Sequence, residues 1–166
     1  MQPVVHSSLE NIIAALHMNP PQSLLVSGQR GLGVSTIARS IAGTQLMAEL
    51  HPQNAKDEED RQNGTISAEA IRDLYTKTRA KYSKRQFVVI DGADRMSSAA
   101  QGAFLKLLEE PNEQIYFILT SHNPDRLLPT IRSRVQTTVL RLLSNEQTER
   151  FIVSLGITDA TKTAQL

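Results

Sequence analysis

The 166 residues contain no cysteine, which excludes a disulfide framework and any thiolate metal site. No charge of one sign dominates. Eighteen basic residues face 17 acidic ones, for a formal net charge of +1. That balance excludes a protein held on nucleic acid by bulk charge alone, though not a few local phosphate contacts. No apolar run approaches the ~20 residues that span a membrane. The opening MQPVVHSSLE has neither the basic start nor the apolar run of a signal peptide. A soluble cytoplasmic protein without membrane contact is the expectation. His6, His17, His51 and His122 show no metal-ligand spacing, and no metal is expected. What is present is a 40% hydrophobic content, enough for one domain with a core and a short extra piece.

The pattern along the chain alternates strand and helix. LENIIAALHM (9–18) is a short amphipathic helix ended by Pro20 and Pro21. SLLVS (23–27) is a buried strand. Ser35 to about Leu50 reads as one helix, with Ile37, Ala38, Ile41, Ala42 and Leu46 apolar. Residues 51–64, HPQNAKDEEDRQNG, have too few apolar side chains to offset the entropy of ordering them, which predicts a solvated, mobile loop. Ser67 caps a helix over 68–82. KRQFVVID (84–91) is a second strand, and MSSAAQGAFLKLLEEP a serine-capped helix stopped by Pro111. QIYFILTS (114–121) is a third strand, LLPTIRSR a turn or short helical segment, and VQTTVL a fourth strand. SNEQTERFIVSLG opens on a capping box, Ser144 with Gln147. The pattern predicts an α/β fold of three layers, a parallel central sheet with helices on both faces. In such folds ligands bind at the carboxyl ends of the strands.

Three stretches fall there. GQRGLGVST (28–36) follows a phosphate-loop pattern, with Gly28, Gly33 and Ser35 in place, but Val34 stands where the lysine belongs. The glycines can still turn backbone amides toward phosphate, while the missing charge costs about ten- to a hundred-fold in phosphate affinity. Arg30 is a possible substitute, and a loop kept only to join strand and helix is the plain alternative. FVVIDGAD places Asp91 at a strand end, as for a magnesium-holding aspartate, with Gly92 where a water-positioning glutamate would stand. PTIRSR carries Arg132 and Arg134, which are either solvated surface arginines or groups able to serve a neighbour's phosphate site in trans.

The ordered set GQRGLGVST, VVIDGADRM, AAQGAFLKLLEEP and FILTSHNPDRLLPTIRSR resembles the AAA+ domain of DNA polymerase III clamp-loader subunits over about residues 20–155. Within that family the likeness is greatest to the delta prime branch, whose phosphate loop is commonly degenerate. The resemblance implies a P-loop domain over 1–142 and, over 143–166, the start of a helical lid domain cut short. It makes Arg134 an arginine finger for an adjacent motor subunit. It leaves Gly28, Gly31, Gly33, Ser35, Thr36, Asp91 and His122, the last near the sensor-1 place, as a vestigial nucleotide site. No cofactor is then expected, with ATP and magnesium bound weakly at most. The implied partners are other loader subunits (gamma/tau and delta), with sliding clamp and primer–template DNA reached through the assembled complex. Val135 departs from the family's serine-arginine-cysteine motif, and 51–64 lacks the cysteines of the zinc module many bacterial loaders insert there.

Three functional readings stay open on the sequence. One is an ATPase-silent loader subunit. Another is a weak ATPase with Arg30 in place of lysine. The third is a DNA-binding module using the amino end of the helix at Ser97–Gln101 and the cluster Lys77, Arg79, Lys81, Lys84 and Arg85.

Overall fold

Alternation inside three apolar runs sets the architecture. Successive strand residues point to opposite faces of a sheet, so Leu24 and Val26, Phe87 and Val89, and Ile118 project to one side. Leu25, Val88 and Ile90, and Phe117 and Leu119 project to the other. All are at most 1% exposed. Each face therefore needs its own cover of helices. The computed structural model describes residues 7–141. Its elements run α1 (Ser7–Met18), β1 (Ser23–Gly28), α2 (Val34–Ala42), β2 (Leu46–Leu50), α3 (Ala68–Thr78), β3 (Gln86–Ile90), α4 (Ser98–Glu109), β4 (Ile115–Ser121), α5 (Pro129–Arg132) and β5 (Gln136–Leu140).

The five strands lie in the order β2-β3-β4-β1-β5, and every neighbouring pair is parallel. α2 covers the first face, with Val34, Ile37, Ala38, Ile41 and Ala42 in its core. α3, α4 and α5 cover the second. There the Phe104 and Phe117 rings meet edge to face at 5.4 Å. Ser67 and Ser97 cap α3 and α4, each accepting from the backbone N–H three residues on. The three-layer α/β fold expected from the sequence is the one observed. Among the described residues no helix is long and apolar enough to cross a membrane. The lid expected over 143–166, with its capping box at Ser144, lies outside the described residues.

Two segments differ from expectation. The helix from Ser35 does not reach Leu50. It ends at Ala42, and Leu46–Leu50 forms an edge strand paired with β3 from Leu46↔Phe87 to Leu50↔Ile90. Leu, Met, Ala and Glu favour helix locally, but the open edge of β3 offers a ladder and an apolar neighbour, and tertiary pairing wins. The helix breaks at Gly43, whose φ of 54° leaves the right-handed helical region. α3 is likewise shorter than the expected 68–82, ending at Thr78.

Residues 52–65 are mostly exposed, as expected of a solvated segment, and they also form hydrogen-bonded turns of their own. Gln53 pairs antiparallel with both Glu59 and Thr65. The Asp60 amide donates to Pro52 O at 2.8 Å and the Gly64 amide to Asp60 O at 2.9 Å. Asp60 Oδ1 accepts from the amides of Gln62 and Asn63. The excursion thus supplies from its own polar groups the order that its few apolar side chains cannot. Gly64 is the tight point, since a Cβ would come within 2.4 Å of Asp60 O. Gly64→Ala is expected to cost roughly 1–3 kcal/mol, the usual range for forced overpacking. By hydrogen exchange the amides of Gln53, Asp60 and Thr65 should be slow in the wild type and fast in the variant. Equal protection in both would show that the excursion does not close as described.

Candidate functional site

The carboxyl ends of β1, β3 and β4 bring the marked residues to one edge of the sheet. β1 ends at Gly28, whose added Cβ would crowd Leu140 of β5 at 3.1 Å and Val34 Cγ1 at 3.3 Å. The loop turns through Gly31 (φ 89°) and Gly33 (φ 70°) into α2. Val34 does not face an open cradle. It is 1% exposed and belongs to the core under α2. Ser35 follows on the first turn of α2, and Thr36 is exposed, its carbonyl accepting from Ser40. Arg30 stays exposed on the loop. A cleft of about 450 Å³ opens beside the loop, lined by Gly28, Leu32, His122, Pro124 and Val139 among others.

Asp91 is the centre of the edge. Its side chain is 6% exposed, and a carboxylate so placed must be compensated. Oδ1 accepts from Ser35 Oγ at 2.5 Å and Thr120 Oγ1 at 2.7 Å. Oδ2 accepts from an Arg61 guanidinium nitrogen at 2.5 Å. His51 Nδ1 lies 3.5 Å and an Arg39 nitrogen 3.7 Å from the same oxygen. Burial pushes the carboxyl up, but the hydroxyls of Ser35 and Thr120 and the charges of Arg61 and His51 outweigh it and hold Asp91 below its ordinary 3.8. Thr120 also accepts from the Gly92 amide at 2.9 Å, which fixes its hydroxyl hydrogen on Asp91.

Gly92 is closed to the glutamate an ATPase would place there. Its φ is 78°, a conformation that disfavours any side chain, and an added Cβ would meet Pro52 Cγ at 3.3 Å. His122 ties β4 to β1. Its Nδ1 lies 2.9 Å from Gly28 O, and since a carbonyl only accepts, Nδ1 carries the proton. That is a structural tie rather than a contact to Asp91. The fold implies a magnesium–nucleotide complex, and the side chains here do not fit one. The lysine position is buried valine, and the Arg61 guanidinium stands on Asp91 Oδ2, where a cation would otherwise be held.

Arg134 is elsewhere. It precedes β5, at the amino edge of the sheet, whereas Asp91 follows β3 at the carboxyl edge. Its guanidinium donates to Thr130 O at 2.9 Å and to Glu109 Oε1 at 3.1 Å. Arg132 pairs with Asp125 at 2.8 Å. The features considered for DNA are partly committed. Ser97 Oγ caps its own helix. Gln101 is buried, donating to Arg126 O and accepting from the Leu128 amide. Arg79 and Arg85 lie over the Tyr75 and Tyr116 rings.

Sequence reasoning missed Arg61, Thr120, Arg39, Glu49 and His51. Thr120 had a signal, being a polar residue in an apolar strand one step beyond Leu119, which the register sets against Ile90, the residue before Asp91. Arg61 had none, since a single arginine in a polar stretch carries no period.

Residues 45–144 match the family described as DNA polymerase III, delta subunit. The DNA polymerase III subunit delta' of Pseudomonas aeruginosa is 37% identical over 91 residues, 54% of this chain and 28% of that protein. The Escherichia coli subunit delta' is 35% identical over 95 residues, 55% of this chain and 28% of that protein. DNA polymerase III subunit gamma/tau of Mycobacterium tuberculosis is 38% identical over 82 residues, 48% of this chain and 14% of that protein. The match thus spans less than a third of each of these relatives. Among solved structures, a Thermotoga maritima gamma subunit-related protein superposes with a TM-score of 0.62 at 23% identity, over 95% of this chain and 56% of that one. The Thermotoga maritima RuvB branch migration motor gives 0.61 at 16%, over 92% and 52%. These two share the P-loop α/β fold.

Because Asp91 is held low, its contribution to stability is present above the ordinary carboxyl value of 3.8 and is lost as pH falls through the lower folded value. Asp91→Asn removes that proton uptake. Urea midpoints between pH 6 and pH 2.5 should fall more steeply for wild type than for the variant. Parallel curves would mean that the network does not persist in solution.

Proposed function

Since the chain belongs to the DNA polymerase III delta subunit family, we propose that it is a delta prime-type clamp-loader subunit that does not itself hydrolyse ATP. It works in the cytoplasm with gamma/tau and delta subunits, and reaches the sliding clamp and primed DNA through that complex. The observation that carries the reading is the internal satisfaction of Asp91 beside a buried Val34. Catalysis of phosphoryl transfer depends on a metal, a phosphate-loop cation and a positioned water. The first meets an occupied carboxylate, the second is replaced by valine, and Gly92 provides nothing for the third.

In this reading Arg134 contributes outward. A guanidinium is always charged and its planar fork matches phosphate oxygens. Its present partners are an exposed carboxylate and a carbonyl at the opposite edge of the sheet from Asp91. Exposed pairs of this kind are worth about 0–1 kcal/mol, so a neighbour's triphosphate can draw the side chain away at little cost. A gamma/tau-type motor is the second reading, favoured by the Mycobacterium relative's 38% identity. It needs a phosphate-loop cation that Val34 does not supply.

Arg134→Ala should leave thermal unfolding of the chain nearly unchanged, within about 0.5 kcal/mol. In a loader reassembled from the full-length protein with motor subunits, clamp and primed DNA, it should slow ATP turnover at least tenfold. Arg132→Ala, which loses only the Asp125 pair, should do less. Turnover unchanged by Arg134→Ala would end the finger assignment. Steady hydrolysis by the chain alone, abolished by Asp91→Asn, would replace the silent reading with the motor one.

A further inference from the structure

Glu49 on β2, His51 just after it and Asp91 after β3 each present a ligand atom, and these atoms lie within 4.8 Å of one another. Two carboxylates and an imidazole at that spacing suit a divalent cation. The group that faces them is Arg61. One guanidinium nitrogen donates to Asp91 Oδ2, the other lies 3.2 Å from His51 Nδ1, and Nε is paired with Glu59. We infer that Arg61 is a built-in replacement for the divalent cation of this cleft. The excursion 52–65 is a plug whose guanidinium keeps free metal, and with it any metal-bound phosphate, off Asp91.

Charge favours the guanidinium over an added metal. Glu49, Glu59 and Asp91 are balanced against Arg39 and Arg61, which leaves one negative charge on those five groups. A divalent ion added to that set would lie against the Arg61 guanidinium already held on Asp91 Oδ2, and like charges that close repel. Without Arg61 the set carries two negative charges, which a divalent ion cancels. Position favours it as well. Arg61 follows Asp60, whose backbone is bonded to both Pro52 and Gly64, so the turn that aims the side chain is fixed by backbone rather than by the ion pair. The same excursion lays Pro52 over Gly92. One segment thus covers both the metal position and the water-positioning position.

The inference deepens the silent-subunit reading and shares with it the Arg61 contact on Asp91, but its readout is separate, being cation binding by the purified chain with no nucleotide or partner present. MnCl₂ is titrated and free ion is followed by electron paramagnetic resonance. The wild type should show no specific site at concentrations where Arg61→Ala binds one Mn²⁺ at least tenfold more tightly. Arg61→Lys, which keeps the charge, should still exclude it, and Arg61→Ala with Asp91→Asn should lose the gained site. Equal Mn²⁺ binding by wild type and Arg61→Ala, or no gain in Arg61→Ala, overturns the inference. Should Arg61→Ala fail to fold, the wild type decides alone. Its Thr120 and Gly92 amide resonances should stay sharp as Mn²⁺ is added, and selective broadening of those two refutes the plug.

Discussion

One nearly buried carboxylate organises the functional edge of this protein. An ionised group taken out of water must be repaid by hydrogen bonds and opposite charge, or it will not stay ionised. Asp91 collects that compensation from elements far apart in sequence: Ser35 on α2, Thr120 on β4, Arg61 in the excursion, with Arg39 and His51 behind them. Three of these groups are also tied elsewhere. Thr120 accepts from Gly92, Arg39 is bonded to Glu49, and Arg61 to Glu59. The carboxylate therefore locks three strand ends and a loop into one arrangement.

In the proposed silent subunit, that arrangement lets a phosphate-loop fold keep its shape while the polar groups at the strand ends bond to one another. Val34 is not merely a deleted charge. Its side chain is part of the apolar layer below α2, within reach of Gly28, so a lysine at that place would have to leave the core and find room above the loop. Gly92 is similarly bound to its surroundings by its positive φ and by Pro52. Val34, Arg61 and Gly92 thus belong to one arrangement of the strand ends and the excursion.

The sequence disclosed the parts of the fold where a run of side chains must be buried. SLLVS, FVVI and YFIL can hardly be anything but interior strands, and Ser67 and Ser97 announced the helices they cap. It did not disclose β2, because Leu46–Leu50 uses residues that prefer helix and is only half-buried at the sheet's edge. At the candidate site, Asp91 and the glycine loop were legible because strand ends and glycine spacing are local signals. Arg61 was not. Its importance comes from a fold-back closed by backbone hydrogen bonds between Pro52, Asp60 and Gly64, a tertiary fact with no periodic trace in HPQNAKDEEDRQNG. The polarity that suits that segment to solvent is also the means by which its turns are held.

The two ends of the sheet then acquire opposite characters. At the carboxyl edge charge is neutralised internally and the groups are bonded to one another several times over, which suits a rigid part. At the amino edge Arg134 is half-exposed and held only by Glu109 and a carbonyl, which suits a group that changes partners. A charge that is to act on another molecule has to be cheap to release, and a charge that is to keep a site shut has to be costly to release. The buried setting of Asp91 makes the Arg61 contact costly to break, and the solvent around Arg134 makes its contacts cheap. The two arginines are about equally exposed, 43% and 39%; the burial of the carboxylate each one faces, 6% exposed for Asp91 against 51% for Glu109, is what separates their contacts.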